Sequence, residues 1–266
     1  MIVHPPPSGI VTFTSDFGTR DHYVAEMKGA AFFKDPSLTL VDVSHHIPPQ
    51  DVQAASFVAR NASFSFPPGT VHVVVVDPGV GSERAALACL CCDQYFIGPD
   101  NGFLNLILDR GEFACVALDL DRLGVKELSN TFHGRDVFAP AAAVLASGQV
   151  VFSDLGEPLE PVRRRLPEPK VGKQRIEGCV IHVDHFGNLM TNITPELLAG
   201  RQVSEVAVGE VQVKEVVQYY AQGAAGELVA LIGSNLQMDV CLVNGSAAQL
   251  LGARVGDEVV CLLEKN

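Results

Sequence analysis

Four short clusters in this 266-residue chain combine acidic, basic and glycine residues in a way that could support chemistry. Each cluster borders an apolar segment with the pattern of a strand or a helix, so each should lie in a loop at the end of such an element. Loops held by a rigid scaffold are where binding and catalytic side chains concentrate. The clusters are TSDFGTRD (14–21), DPGVGSER (77–84), TFHGRD (131–136) and DHFGNLMTN (184–192).

The first two clusters each follow a predicted strand. Carboxylates at the carboxyl end of a parallel strand lie where α/β folds bind ligands. There Asp16 could accept two hydrogen bonds from a vicinal diol such as a ribose, and Asp77 could pair with Arg84 across a tight turn. The second cluster lacks the Gly-Lys-Ser/Thr ending of a phosphate loop and does not fit the dinucleotide pattern. Turn chemistry for the first cluster and a structural ion pair for the second are the alternatives.

The other two clusters offer a proton carrier and a base-stacking face. His133 lies between apolar segments and could accept or relay a proton near neutral pH, although a lone histidine is more often structural. Asp136 could cap the helix that follows. Phe186 offers a face on which adenine could stack, and the Asn188 amide could pair with the edge of that base. A hairpin turn at residues 186–188 is the alternative.

The hydrophobic pattern that must position these clusters changes along the chain. Residues 1–166 alternate strands and helices, which predicts an N-terminal three-layer α/β domain with a largely parallel sheet. Residues 167–174, rich in Pro, Gly and Lys, are the predicted linker. Residues 175–266 contain mostly short strands, which predicts a smaller all-β, barrel-like domain. The predicted strands are 10–14, 38–43, 71–76, 85–91, 95–98, 178–183, 203–208, 211–217, 228–232, 240–242 and 258–263, and the predicted helices are 23–33, 51–61 with Asp51 as N-cap, 103–109 and 136–147.

Composition limits the partners and the compartment. The net charge of −12 argues against a nucleic-acid binder, and the short run at Arg163–Arg165 fits a solvated linker edge. The apolar runs are too short to span a bilayer, and the N-terminus lacks the features of a signal peptide. Seven cysteines is an odd number without a second pair at zinc spacing, and Cys89, Cys91 and Cys92 fit small hydrophobic residues on a buried strand. A reducing cytoplasm is therefore expected.

Taken together, the motifs resemble a known enzyme family. SDFGTRD, VDVSH, VVVDPGVGSER, GPDNG, FHGRDVFAP, LG-P and DHFGNLMTN are similar, in order and spacing, to the S-adenosyl-L-methionine (SAM) hydroxide adenosyltransferases, whose halogenating relatives are the fluorinase and the chlorinase. The resemblance runs from about Ile10 to the C-terminus. It implies an α/β domain followed by a barrel-like domain, no metal and no dissociable cofactor. It also implies a homotrimer whose active site lies between the N-terminal domain of one subunit and the C-terminal domain of the next.

The resemblance also implies roles for individual residues. Asp77, Arg84 and His133 match the set that marks the water-using branch, and Gln50 stands where the fluorinase carries a Trp. The implied substrate-binding residues are Asp16 at the ribose diol, Asp21 and Asp184 near the methionine amine, Phe186 and Asn188 at the adenine, Ser234 at the methionine carboxylate, and Gly134. The chain departs from the family pattern at residues 234–239 and is shifted by one residue before Asn244.

The expected reaction is hydrolysis of SAM to adenosine and L-methionine by in-line attack of activated water on the ribose 5′-carbon. Three alternatives are open. The first is a halide adenosyltransferase on the same scaffold, and the second is a protein that senses SAM or adenosine without turnover. The third is a metal-dependent hydrolase using acidic and histidine side chains, which lacks the support of an HExxH-like helix. Its candidate ligands are Asp16, Asp21, Asp77, His45, His46 and His133.

Overall fold

The computed structural model describes residues 4–126, 128–164 and 167–264. The chain divides into two compact units, Met1–Arg165 and Leu166–Asn266. Arg165 and residue 166, where the sequence predicts the end of the first domain, lie outside the described residues. Each unit has its own sheet, so the protein is a mixed α/β chain in which strands dominate.

The first unit alternates strands and helices over its first half and continues mainly with strands. Asp51 caps the second helix, as predicted, because its carboxylate accepts a hydrogen bond from the Ala54 amide at 2.9 Å. The elements are β1 (Ile10–Ser15), α1 (Tyr23–Lys34), β2 (Thr39–Ser44), α2 (Val52–Ser63), β3 (Val71–Val75), β4 (Ala86–Cys91), β5 (Gln94–Pro99), α3 (Asn105–Leu108), β6 (Phe113–Leu118), α4 (Ala139–Ala146) and β7 (Gly156–Pro158).

The sheet of the first unit is mixed, which corrects the prediction of a largely parallel sheet. The strand order is β2-β1-β3-β5-β4-β6-β7. The pairs β2–β1, β1–β3 and β3–β5 are parallel, whereas β5–β4, β4–β6 and β6–β7 are antiparallel. The reversal starts at the two-residue turn between β4 and β5, where Cys92 and Asp93 both have positive φ angles of 51° and 58°. That geometry closes a hairpin, and Cys92 is an exposed turn residue rather than a buried strand residue.

Helices cover both faces of this sheet. Val73 and Val75 of β3 face a core that includes residues of α1 and α4, while Val74 and the following Val76 face a second core with residues of α2 and α3. Successive side chains of a strand point to opposite faces, so an unbroken run of valines is buried on both sides.

The second unit is a strongly curved sheet with two short helices, so it is not all-β as predicted. The elements are β8 (Lys170–Val171), β9 (Arg175–Val183), β10 (Leu189–Thr191), α5 (Pro195–Leu198), β11 (Val203–Val208), β12 (Val211–Val213), β13 (Glu215–Val216), β14 (Leu228–Ile232), β15 (Met238–Leu242), α6 (Ala247–Leu251) and β16 (Glu258–Leu263). The strand order is β12-β11-β16-β9-β10-β15-β14-β13, and β8 pairs with β9. Strands β11 and β12 at one end lie against β13 and β14 at the other, which makes the sheet nearly barrel-shaped around an apolar core.

Several local predictions need correction. The predicted linker carries β8, and the predicted strand 211–217 is split into β12 and β13. The predicted helix 103–109 shortens to α3. The predicted helix 136–147 starts earlier, with a single π-helical turn over Gly134–Phe138 that runs into α4. No helix in the described ranges is long and apolar enough to cross a membrane.

Candidate active site

Two of the predicted clusters meet at the carboxyl edge of the first sheet. Strands β1 and β3 are parallel neighbours, and their register pairs Ser15 with Val75, so Asp16 and Asp77 leave the sheet side by side. The chain places β2 on one side of β1 and β3 on the other, which makes the end of β1 and β3 a topological switch point. A crevice opens at such a point, and this is where open α/β sheets bind ligands.

A cavity of about 430 Å³ lies at this edge. Four of the predicted site residues line it: Asp16, Asp77, His133 and Gly134. The remaining wall was not predicted from the sequence and consists of Phe17, Tyr23, Gln50, Val75, Pro78, Val80, Thr131 and Phe132. The volume suits a small molecule rather than a macromolecule.

Arg84 connects Asp77 to His133 through a continuous set of hydrogen bonds. Its Nε lies 3.1 Å from both carboxylate oxygens of Asp77, and its Nη2 lies 2.5 Å from Oδ2. The same Nη2 lies 2.6 Å from Nδ1 of His133. The guanidinium packs over the Phe138 ring with 5.3 Å from Cζ to the ring centroid. Arg84 itself does not line the cavity, so it holds the two lining residues from behind.

This geometry fixes the tautomer of the imidazole. A guanidinium can only donate, so Nδ1 of His133 accepts and the ring proton lies on Nε2. The side chains of Asp77 and Arg84 are only 5% and 11% exposed, so their mutual attraction is weakly screened by solvent. The structure therefore joins the three residues that the sequence proposed for water activation.

Local backbone features explain how the set is presented. Gly81 has a φ of +77°, and a Cβ at this position would collide with the Asn130 carbonyl, so glycine lets the 77–84 loop lie against the 131–136 segment. His133 immediately precedes the π-helical turn. Such turns interrupt α-helices most often at functional sites.

Asp136 is not a helix cap, contrary to prediction. Its carboxylate is buried and accepts from Arg135, whose Nε lies 2.6 Å from Oδ1. Nη1 of Arg135 also lies 2.7 Å from Glu26 on α1. The π-helical turn shifts the backbone so that Asp136 lies inside the helical segment. These two salt bridges of Arg135 connect the segment that carries His133 to α1.

Asp16 is held by the backbone amide of Gln50, a contact that the sequence did not predict. The Gln50 amide donates to Oδ2 of Asp16 at 2.9 Å. Gln50 has a φ of 66°, a conformation that is uncommon for a residue with a side chain. One carboxylate oxygen of Asp16 is thereby engaged by the loop after β2, and the carboxylate is fixed at the cavity wall.

An aromatic wall stands beside these polar groups. The ring centroids of Phe17, Tyr23 and Phe132 lie 5.4–5.7 Å apart, with edge-to-face or tilted orientations. Gly134 packs closely beside this wall. Only glycine fits there, because a Cβ would come within 2.8 Å of Met27 Sδ. Phe17 and Phe132 each adjoin a predicted residue in the sequence, and this adjacency is the only signal that could have found them.

Asp21 is exposed and does not line the cavity.

The predicted residues of the second unit form a compact loop between β9 and β10. Oδ1 of Asp184 accepts from the amides of Phe186 and Asn188, both at 2.9 Å, and Oδ2 accepts from the Asn188 side chain. Asp184 therefore shapes the loop. The Phe186 ring is 72% exposed, which leaves a face open for stacking. Ser234 is exposed in the turn before β15.

Two buried acceptors, one just before β15 and one within it, could not be identified from the sequence pattern. Gln237 and Asp239 are 5% and 4% exposed, and Oε1 of the first and Oδ1 of the second have no hydrogen-bond partner. Burial, followed by the nearby charge of Asp184, raises the pKa of Asp239 to about 7. The departure of residues 234–239 from the family pattern was the available signal, but it did not indicate burial.

No group of three His, Cys, Asp or Glu side chains within residues 4–126, 128–164 and 167–264 could hold a metal ion. Two of the residues considered for such a site have other partners. His45 is bonded to Ser15 and Asp42, and both oxygens of Asp77 accept from Arg84.

The fold and the site define an α/β protein that binds a small molecule in a charged cavity at the switch point of its sheet. The chain matches the SAM hydroxide adenosyltransferase N-terminal domain over residues 11–156 and the C-terminal domain of the same family over residues 178–260. The chain belongs to this family.

Similar proteins support this assignment over nearly the full length. The chain is 38% identical to the (R)-S-adenosyl-L-methionine hydrolase of Salinispora tropica, covering 95% of this chain and 97% of the relative. It is 38% identical to the enzyme of the same name from Thermus thermophilus, covering 92% and 96%. A fluorinase from Actinoplanes is 29% identical, covering 69% and 71%.

A solved structure has the same fold. An uncharacterized conserved protein from Thermotoga maritima superimposes with a TM-score of 0.88 at 34% identity, covering 95% of this chain and 99% of that chain.

Proposed function

We propose that this protein hydrolyses SAM to adenosine and L-methionine. The observation that carries this proposal is the bonded Asp77–Arg84–His133 set, two of whose members line the same cavity as Asp16. Family membership and the hydrolase names of the relatives support the substrate. Those names specify the R configuration at sulfur, and we extend this preference to the present chain.

The reaction is a displacement at the 5′-carbon of the ribose. The water oxygen forms the new C5′–O bond as the C5′–S bond breaks, and the bonding pair leaves with sulfur to give the neutral thioether of methionine. One water proton remains on the 5′-hydroxyl, and the other passes to the Asp77 carboxylate, which lines the cavity, and from there to solvent. Charge is neutralised as developing hydroxide approaches the sulfonium, so a dry cavity favours the transition state.

The three residues have different roles in this mechanism. Asp77 lines the cavity and accepts a hydrogen bond from the water, while Arg84 supplies positive charge that favours developing hydroxide. His133 keeps its proton on Nε2 as long as Arg84 donates to Nδ1. Neither ring nitrogen then has a free lone pair, so this arrangement favours His133 as a group that orients the water by donating from Nε2 over His133 as a general base.

We propose that the reaction needs no metal and no dissociable cofactor. The guanidinium of Arg84 occupies both oxygens of Asp77, so a cation at Asp77 would have to displace an ion pair that is nearly buried. Turnover should be unchanged after exhaustive treatment with a chelator. Loss of turnover that is restored by adding Zn²⁺ or Mg²⁺ would contradict this proposal.

Halide transfer is the competing function, because fluorinases are among the relatives. The Asp77 carboxylate at the cavity wall can accept a hydrogen bond from water, whereas a halide ion has no proton to donate, so Asp77 favours water as the nucleophile. Products formed with and without fluoride and chloride should be the same. A 5′-halogenated adenosine would instead identify a halide adenosyltransferase.

We further propose a homotrimer in which the loop at residues 184–188 of one subunit completes the cavity of a neighbour. The proposal rests on the family resemblance and on the predicted adenine contacts, which belong to the second unit. Light scattering on an active sample should give three times the 28.4 kDa chain mass. A monomer with full activity would contradict the shared site.

We place the protein in a reducing cytoplasm, since all seven cysteines are free.

A further inference from the structure

A chain of polar groups lies directly behind Asp16. Oγ of Ser15 is 2.7 Å from Nδ1 of His45, and Nε2 of His45 is 2.9 Å from Oδ1 of Asp42. The other Asp42 oxygen accepts from Lys28 Nζ at 2.6 Å. Ser15 is fully buried and His45 is 3% exposed, while the Asp42 side chain is 42% exposed. This network of hydrogen bonds therefore extends from the protein surface to the end of β1.

The proton positions follow from the acceptors. An ionised carboxylate only accepts, so His45 donates from Nε2 to Asp42 and its Nδ1 accepts from the Ser15 hydroxyl. Burial alone would raise the pKa of Asp42, but the hydrogen bonds from His45 and Lys28 outweigh it and lower the pKa. Ser15 then has a lone pair for the Phe17 amide, which lies 3.3 Å away.

The same residues join the loop that carries Asp16 to the loop after β2. The Gly18 amide donates to the His45 carbonyl at 2.7 Å, and the Ile47 amide donates to the Ser15 carbonyl at 3.3 Å. The Gln50 amide completes the connection by donating to the Asp16 side chain. The buried His45 side chain thus bonds from one loop to the end of β1, within five residues of Gln50. At the surface, Oγ1 of Thr19 lies 3.4 Å from Nε2 of His46.

The order Ser, His, Asp is that of a hydrolase triad, but this set has a different function. Ser15 has no exposed surface, so no substrate can reach its hydroxyl. We infer that His45 is a positioning residue that, through Ser15 and the 45–50 loop, holds the Asp16 carboxylate in the orientation that binds the ribose diol. This inference rests on the proposed function, because it takes Asp16 to contact the ribose.

The first unit contains a matched control. His72 is 2% exposed, and its Nδ1 lies 2.7 Å from Oγ1 of Thr12, which is also on β1. Its Nε2 lies 3.3 Å from Oε1 of Gln94. His72 therefore has nearly the same burial as His45 and a similar hydroxyl partner on β1, with an amide in place of the carboxylate. Its bonds connect strands and do not reach the loop of Asp16.

The test is a double-mutant cycle on the full-length protein, with adenosine and 2′,3′-dideoxyadenosine as calorimetric probes. His45→Ala should weaken adenosine binding by about tenfold, a coupling typical of one hydrogen-bond network. It should leave dideoxyadenosine binding unchanged, and it should have no further effect in an Asp16→Ala background. His72→Ala should lower the melting temperature without changing either affinity.

Asp42→Ala provides a second route, because its exposed side chain can be removed with little risk to folding. It should reproduce the selective loss of adenosine affinity in a milder form. Equal losses of affinity for the two nucleosides, or additive losses of adenosine affinity in the double variant, would overturn the role of His45. If the wild-type protein still cleaves SAM, these outcomes leave the proposed function intact. A wild-type protein that neither cleaves SAM nor binds adenosine would refute the proposed function itself, and the role of His45 with it.

Discussion

Arg84→Met isolates the energetic role of the ion pair at the candidate site. The substitution preserves an unbranched apolar side chain but removes the donors to both oxygens of Asp77. With its side chain 5% exposed, Asp77 then retains a buried charge without a counter-ion. Breaking a buried pair in this way costs about 3–5 kcal/mol in the free energy of unfolding. Urea unfolding followed by circular dichroism should show this loss, since the chain has no tryptophan for fluorescence.

Two controls make the measurement decisive. The surface pair Arg163–Asp109 has an N–O distance of 3.2 Å and side chains 40% and 64% exposed, so Arg163→Met should cost less than about 1 kcal/mol. Adding Asp77→Asn to Arg84→Met should recover most of the lost stability, because no buried charge remains, while hydrolysis stays abolished. If Arg84→Met costs no more than Arg163→Met, the pair is not the tightly coupled, desolvated unit described above.

Three further predictions concern other residues. Asp239 has a folded pKa near 7 against 3.8 for the free side chain, so the unfolded state loses its proton first and stability falls as pH rises between these values. Unfolding compared at pH 5 and pH 8 should show a fall of about 2–3 kcal/mol that Asp239→Asn removes. Asp16→Ala should weaken SAM binding by about 1.5–3 kcal/mol in calorimetry. His133→Ala should leave SAM affinity nearly intact and lower single-turnover rates by less than about a hundredfold, with the shape of the pH–rate profile unchanged, because His133 orients the water rather than accepting its proton. The reverse pattern would mean that the two roles are exchanged. Asp93→Gly should raise the melting temperature slightly, because the φ of 58° strains a residue with a Cβ, and a lower melting temperature would count against the turn geometry.

The sequence could predict which strand ends carry the site residues, but it could not predict that these strand ends lie next to each other in the sheet. Asp16 and Asp77 were identified because each follows an apolar, β-branched run. Their adjacency depends on β1 pairing with β3 in the register Ser15–Val75, and pairing is a long-range property that no local pattern encodes. The antiparallel half of the sheet was missed because Cys92 and Asp93 form its turn without a glycine.

Side-chain environments explain the remaining differences. Asp136 has the sequence context of a helix cap, and only the π-helical turn makes it a partner of Arg135. Gln50 contributes through its backbone amide, which no residue type reveals. Asp239 was not found because an acidic residue in a strand is ordinarily expected on the exposed face. For the substrate-binding residues of the second unit, from Asp184 to Ser234, the assignments remain predictions.

In the proposed reaction, water is the nucleophile at the 5′-carbon. Incubation of the protein with SAM in water enriched in the heavy oxygen isotope, followed by mass analysis of the products, tests this step directly. Attack by water predicts adenosine that carries the heavy isotope in its 5′-hydroxyl, together with unlabelled methionine. Unlabelled adenosine, or methylthioadenosine in place of adenosine, would contradict it.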